Sequence, residues 1–417
     1  MSKRILILTA GSQGDVQPYV ALGKGLKQAG FEVLLATDSS FASLVTGHTL
    51  DFAPLHAPFA QLVQTETGKA ALAGKKSIRL KQIMPMLRQM MDDAWEIAQQ
   101  YNPDAVVYHA KPLAGYHIAD KLGIPGFLAM ALPIYSPTRS FANPIFGGGN
   151  YGGWLNYLSY TVFLQASLLP YRRFINQWRQ EKLGLPPFRD ERSLHGRPVP
   201  KLYAYSRYVV PPPADWDESA IATGYWFLDS TSDWQPPADL VAFLANDSPP
   251  IYIGFGSMAS QDAVKTTRLV MDAVRQSGQR AILATGWGGL STSEVPDTIH
   301  VLQSAPHDWL FPQCLAVVHH GGAGTTGAGL RAGKPTIICP FFGDQPFWGK
   351  QVFELGVGSR PILQKQLTVS NLSQAIQAVA QDTAMQQRAR ALGGKIRAEN
   401  GVMQAVEVIR EQLTEIR

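Results

Sequence analysis

Val318-His-His-Gly-Gly-Ala-Gly-Thr-Thr-Gly-Ala-Gly-Leu330 runs out of an apolar segment, Leu315 to Val318, through a glycine-rich turn into a helix-compatible segment reaching Arg331. The order strand, turn, helix gathers free backbone N–H groups and the positive end of a helix at one point, which suits a diphosphate. Glycines at 321, 322 and 324 let the main chain approach a ligand closely. His320 offers a hydrogen-bond donor, and Thr325 and Thr326 offer hydroxyls. A glycine-rich turn by itself is common between strand and helix. Here a second apolar strand, Pro335 to Pro340, leads to Asp344 and Gln345. Two polar loops from neighbouring βα units then converge on one crevice.

The same alternation runs outward in both directions. Residues 4–10 form a short apolar run bounded by Gly11, the pattern of a buried parallel strand. Pro18 fits the first turn of a helix, in which Tyr19, Leu22, Leu26 and Ala29 recur at helical spacing, with Gly30 beyond its end. Asp15 falls in the loop before that helix and reads either as an N-cap or as a carboxylate at the carboxyl edge of a sheet. Further strands are predicted over 31–36, 104–108 and 126–131. Residues 135–170, rich in Gly, Tyr, Phe and Trp, break the pattern and read as an irregular or helical insertion. Val209-Val-Pro-Pro-Pro213 marks a linker. A second set of strands begins at Ile251 and continues over 281–285 and 300–303. The expected organisation is α/β, with a Rossmann-like domain over 1–208, a linker region over 209–235, a second Rossmann-like domain over 236–395, and a last helix over 396–417.

At 417 residues, 45% apolar and 17% charged, the chain reads as a well-packed globular protein. A net charge of +5 with scattered basic residues does not point to nucleic acid, though it fits an anionic ligand or membrane surface. Cys314 and Cys339, each beside or within an apolar strand, read as buried free thiols. The first apolar run is too short for a signal peptide, and no run reaches the ~18 apolar residues of a spanning helix. A cytoplasmic location is expected, at most peripheral at the inner face of the membrane.

The segment from His319 to Gln345, together with Gly11-Ser-Gln-Gly-Asp-Val-Gln-Pro-Tyr19 and Asp308-Trp-Leu-Phe311, resembles the signature of family 1 glycosyltransferases, the UDP-glycosyltransferase superfamily. The resemblance is strongest to sterol glucosyltransferases and bacterial antibiotic glycosyltransferases, and weakest over 135–200. It implies the GT-B fold, two Rossmann-like domains facing across a cleft, the last helix crossing back to the first. It also implies inverting, metal-independent transfer of a hexose from a UDP-sugar, a co-substrate rather than a cofactor, to a hydroxyl of a lipophilic acceptor such as a sterol. A polyketide, phenolic or carotenoid acceptor is the alternative. A UDP-sugar epimerase and a non-catalytic nucleotide-sugar binder are the more distant ones.

By the same resemblance Asp15 is the catalytic base, with His109 as its helper, the two types exchanged relative to plant enzymes. Ser257 would contact phosphate, Ala305 and His307 the base and ribose, Trp287 a ring, and His320, Gly322, Gly324 and Thr325 the diphosphate. Asp344 and Gln345 would bind sugar hydroxyls, favouring glucose. Where plant relatives place a ribose-binding glutamate this chain has Ala328. Asp215-Trp-Asp217 matches the metal motif of another glycosyltransferase class only superficially, beside the prolines, and no metal is expected. On the acceptor side Tyr151, Trp154 and Tyr157 are expected to line an apolar site. Nearby arginines and a basic cluster at Lys75, Lys76, Arg79 and Lys81 suggest a peripheral membrane contact.

Overall fold

The computed structural model describes residues 2–56, 80–230, 234–245, 248–255, 263–284 and 295–414. Ser257, Trp287, Lys75, Lys76 and Arg79 lie outside the described residues. The first lobe is built on strands β1 (Arg4–Leu8), β2 (Glu32–Asp38), β3 (Asp51–Leu55), β4 (Ala105–Tyr108) and β5 (Gly126–Met130). After the antiparallel pair β6 (Ser193–Leu194) and β7 (Arg197–Pro198) come β8 (Lys201–Tyr203) and β9 (Ala220–Ala222). The parallel order is β3-β2-β1-β4-β5-β8-β9. β4 and β5 are buried throughout, and β1 after its first residue. They read as unbroken apolar runs because the sheet is covered on both faces.

Two sequence expectations are corrected here, and one is narrowed. Helix α1 spans Gln13–Gln28, so Pro18 lies in its second turn and Asp15 is its third residue rather than its N-cap. Ser12 is the N-cap, and its N–H donates to the Asp15 carboxylate, one leg of a capping box. The triple proline at 211–213 lies between β8 and β9, so the stretch read as a linker contains the last strand of the first sheet. The insertion over 135–170 is largely helical. After α2 (Ala42–Thr46), α3 (Leu80–Tyr101) and α4 (Gly115–Leu122), a 26-residue helix α5 covers Gly153–Trp178.

The second lobe repeats the plan. Strands β10 (Ile251–Gly254), β11 (Ala281–Ala284), β12 (Ile299–Leu302), β13 (Val317–His319) and β14 (Thr336–Ile338) form a parallel sheet in the order β12-β11-β10-β13-β14. Its helices are α6 (Ala238–Leu244), α7 (Ala263–Ser277), α8 (His307–Leu310), α9 (Ala323–Arg331), α10 (Gln345–Glu354), α11 (Val369–Gln381) and α12 (Thr383–Ala398). Cys314 and Cys339 are buried free thiols.

Two features join the lobes. Helix α13 (Gly401–Thr414) packs on α1, where a β-carbon at Gly25 would meet Val402 Cγ1 at 2.2 Å. Its Ala405, Val406 and Ile409 are fully buried in the first lobe's core, the two branched residues contributing about 1.5–3 kcal/mol each. Residues of α9, β14 and α10 (Leu330, Ile338, Phe347, Trp348) share one apolar cluster with Tyr203, Tyr205 and Tyr225. Each sheet reverses its order between its first and fourth strands: β1 and β4 in one lobe, β10 and β13 in the other. At such a reversal the loops leave the carboxyl edge in opposite directions and open a crevice.

Candidate active site

The crevice of the first lobe is made by the loop after β1 and the loop after β4. The first carries Gly11, Ser12 and Asp15; the second carries His109 and Lys111. Asp15 Oδ2 is held three times: by Ser12 N at 2.8 Å, Ser12 Oγ at 2.9 Å and Lys111 Nζ at 2.7 Å. Oδ1 has none of these bonds; it faces His109 Nε2 at 3.8 Å, beyond hydrogen-bond length. Burial by itself would lift the Asp15 carboxyl, but Lys111, His109 and the Ser12 N–H outweigh it and hold the group below its usual range. Asp15 is therefore an ionised carboxylate at neutral pH, with one oxygen anchored.

His109 is nearly buried, and burial pulls its pKa down to about 4. The Lys111 backbone N–H donates to His109 Nδ1 at 3.1 Å, which leaves the proton of the neutral ring on Nε2, the nitrogen facing Asp15. His109 can donate toward Asp15 or an incoming hydroxyl there; it is not set to take a proton from it. Tyr19 and Trp226 enclose this corner edge-on, Tyr19 with ring centres 6.0 Å from His109 and 5.9 Å from Trp226. A small cavity of about 30 Å³ lies among Asp15, Pro18, Tyr19, His109, Met130 and Trp226. A wider cavity of about 310 Å³ lies elsewhere, among Arg4, Asp104 and Pro125. Those residues border the amino ends of β1, β4 and β5, the edge where parallel sheets do not place reacting groups.

In the second lobe Gly322 is the N-cap of α9, so the first N–H groups of that helix open onto the loop after β13. A β-carbon on Gly322 would stand 2.8 Å from His320 Nε2; the bare α-carbon lets the ring lie over the helix start. His320 Nδ1 is buried without a partner among the described residues, and burial takes the ring to about 4, so it is neutral. No described atom comes within 4 Å of a β-carbon built on Gly324, which is exposed. Thr325 is half-buried, whereas Thr326 is buried and spends its hydroxyl on the Gly322 carbonyl at 2.9 Å. His307 stacks on Phe311 with centroids 4.2 Å apart, and its pKa too is taken by burial to about 4; Ala305 packs beside the same cluster.

Asp344 and Gln345 open α10. Gln345 Oε1 accepts from Phe341 N at 2.7 Å and Phe342 N at 3.3 Å, which shapes the turn. Its amide nitrogen makes no hydrogen bond among the described residues. Asp344 Oδ2 accepts from Trp348 Nε1 at 3.0 Å. Burial raises the Asp344 carboxyl, and the charges of Asp15 and Lys111 both reach it. The two carboxylates, one from each lobe, are thus close enough for the charge of Asp15 to act on Asp344.

Both lobes match domains of known proteins. Residues 5–138 match the glycosyltransferase family 28 N-terminal domain, and residues 268–411 match the erythromycin biosynthesis protein CIII-like C-terminal domain. A sterol 3-beta-glucosyltransferase of Neurospora crassa is 40% identical over 430 residues, which covers 98% of this chain and 27% of the relative. One from Aspergillus clavatus is 41% identical over 427 residues, covering 99% and 30%. The chain is thus similar to glycosyltransferases over nearly its whole length. It spans less than a third of the length of these fungal relatives. The glycosyltransferase of kitacinnamycin superposes with a TM-score of 0.74 at 21% identity, covering 99% of this chain and 100% of that one. The calicheamicin glycosyltransferase CalG4 gives 0.68 at 18%, covering 99% and 98%. These likenesses are to the fold, which is GT-B.

Lys111 and Ser12, both on Asp15 Oδ2, are the residues that sequence reasoning missed. Lys111 was recognisable only by place, two positions beyond His109 in the loop after a strand. Tyr151, Trp154 and Tyr157 lie on the surface, 59%, 72% and 48% exposed, away from the cavity beside Asp15. The core residue in that segment is Tyr160, fully buried. His117 is also core: buried, its Nδ1 accepts from Arg179 Nη1 at 2.9 Å. Asp215 accepts from Thr138 and from Arg139 N, 76 and more positions away, and Asp217 from Ser219, so each carboxylate of the superficial metal motif is engaged in a hydrogen bond. Among the described residues no cluster of three or more His, Cys, Asp or Glu is placed to hold a metal ion.

Proposed function

We propose that this chain is an inverting glycosyltransferase that moves a hexose, glucose by preference, from a UDP-sugar to the hydroxyl of a lipophilic acceptor such as a sterol, without a metal or other cofactor. The observation that carries the reading is the Asp15 carboxylate, ionised, with Oδ2 anchored by Ser12 and Lys111 and Oδ1 left without a hydrogen bond beside His109 and the small cavity.

In the proposed step the acceptor oxygen attacks C1 of the sugar from the side opposite the diphosphate. Asp15 Oδ1 takes the hydroxyl proton as the new C–O bond forms. The bond from C1 to the diphosphate oxygen breaks, and a single displacement inverts C1. The departing charge falls at the start of α9, where fixed N–H groups and His320 meet it without rearrangement. Asp344 and the Gln345 amide nitrogen, which makes no hydrogen bond among the described residues, would hold sugar hydroxyls. Sequence likeness to sterol glucosyltransferases across nearly the whole chain supports the acceptor class.

The acceptor side supports a peripheral contact with lipid. Helix α5 exposes Trp154, Leu155, Val162 and Leu169, the last at 69%. Residues 121–180 contain no Asp or Glu, while Lys121, Arg139, Arg172 and Arg173 are exposed. An apolar helix face with exposed arginines beside it matches an anionic bilayer surface. Among the described residues no helix is long and apolar enough to cross a membrane.

The test is a matrix of UDP- and dTDP-sugars against sterols, hopanoids, carotenoids and phenolics, with product masses measured. A mass gain of one hexose on a sterol with UDP-glucose is expected. Glycosylation of small polar phenolics alone would overturn the lipid reading, and hydrolysis or epimerisation without transfer would overturn the reaction class.

A further inference from the structure

Lys111 touches both polar groups of the first-lobe crevice, each through a different part of itself. Its backbone N–H fixes the tautomer of His109, and its ammonium pairs with Asp15 Oδ2. The room for that pair is kept open by Gly11, whose φ is +135°. A β-carbon there would stand 2.3 Å from Asp15 Oδ2 and 2.7 Å from Lys111 Nζ. With Ser12 on the same oxygen, three donors converge on Oδ2 and Oδ1 is left over. Carboxylate oxygens interchange by rotation about the terminal bond, which is soft. Three donors on one side remove that freedom.

We propose that Lys111 is a positioning residue for the base: its ammonium locks Oδ2 of Asp15 so that Oδ1 alone meets the acceptor hydroxyl. This rests on Asp15 being the base. The same pair balances charge during the reaction. When Oδ1 takes the proton, Asp15 becomes neutral and the Lys111 charge is left uncompensated in the cleft. The diphosphate gains one negative charge in the same event, and the ammonium becomes its counter-charge. Among the described residues, Lys111 and His109 from the loop after β4 and Tyr19 from its own helix lie beside Asp15, and the charge of Asp15 reaches Asp344 in the other lobe. Lys111 is the cation among them at neutral pH, since His109 is neutral.

The experiment compares Lys111→Met, Lys111→Arg and Gly11→Ala in the full chain, with kcat and KM followed from acid to neutral pH. Lys111 is 42% exposed, so its replacement leaves the core intact. Lys111→Met is expected to move the acid limb of kcat/KM to higher pH and to lower kcat by on the order of 10- to 100-fold, with the acceptor KM little changed. Lys111→Arg should restore the limb toward its original position. Gly11→Ala, which pushes the pair apart with Lys111 present, should reproduce the shift. An unmoved acid limb in Lys111→Met overturns the inference. Asp15→Asn separates this from the functional reading: it should keep nucleotide binding and lose turnover. If Asp15→Asn stays active, the base assignment itself falls; if it is dead while Lys111→Met keeps its limb, only the role of Lys111 falls.

Discussion

The ring of Phe347 in the second lobe lies on Gly148 of the first, so closely that a β-carbon at 148 would come within 2.2 Å of Phe347 Cδ2. Gly148 has a φ of +62°, so its backbone also favours glycine. Beside it Phe141 meets Phe347 with ring centres 6.0 Å apart, and Trp348 meets Tyr205 edge-on at 6.2 Å. The helix that opens with Asp344 and Gln345 is thereby braced against the lobe that carries Asp15. Gly148→Ala should cost about 1–3 kcal/mol from steric overlap alone. Trp348→Ala should cost about 3–5 kcal/mol. Denaturant midpoints would register both; an unchanged midpoint in Gly148→Ala would mean the lobes are not braced at this contact.

His320 offers a test of the donor site independent of turnover. A hydrogen bond to a charged group contributes about 1.5–3 kcal/mol. His320→Ala should therefore weaken UDP binding roughly 10- to 150-fold by calorimetry. Thr326→Val should leave affinity nearly unchanged, because that hydroxyl is committed to Gly322 within the helix. Equal UDP affinity in wild type and His320→Ala would contradict the diphosphate role.

Stability should fall on mild acidification. His109, His307 and His320 are held by burial at about 4, below the ordinary 6.5. The unfolded chain takes up protons there first, so their contribution is complete above about 6.5 and is lost as pH falls toward 4. Asp15, held below its usual range, adds to the loss only at still lower pH. Melting temperature should drop between pH 7 and 5, and His307→Gln should flatten part of that slope. A melting temperature constant over this interval would show that these rings are not buried neutral.

Lipid contact through α5 is open to direct measurement. The chain should co-sediment with vesicles containing phosphatidylglycerol and much less with pure phosphatidylcholine. Near an anionic surface each Arg is worth about 1 kcal/mol, so Arg172→Gln with Arg173→Gln should weaken binding by about 2 kcal/mol, roughly 30-fold. Trp154→Ser with Leu169→Ser should weaken it further at any salt concentration. Transfer to a detergent-dispersed acceptor should survive these changes. If the quadruple variant sediments like the wild type, α5 is not the membrane face.

Much of the scaffold was legible in the primary structure. Apolar runs such as Ile5 to Leu8 and Ala105 to Tyr108 announce buried parallel strands, because a strand covered on both faces tolerates no polar alternation. The glycine run after Val318 announces a turn before a helix, because backbone freedom and close approach are local properties of the residue. Helix starts were less certain. Pro18 pointed to a later start, and the capping bond between Ser12 and Asp15 sets it at Gln13 instead. The exposure of Trp154 and Tyr157 beside the full burial of Tyr160 was not readable either, since aromatic side chains serve cores and surfaces alike.

What the sequence by itself determined, then, is the alternation of strand, glycine turn and helix, and the chemical types present in each loop. Only the tertiary structure decided that β1 neighbours β4, which brings Lys111 within 2.7 Å of Asp15 across 96 positions of chain, and that Asp344 of the other lobe comes within reach of the Asp15 charge. Periodicity encodes which faces are buried. The lateral order of strands, and with it the pairing of charges at their ends, follows from how the helices cover the whole sheet, which no local stretch contains.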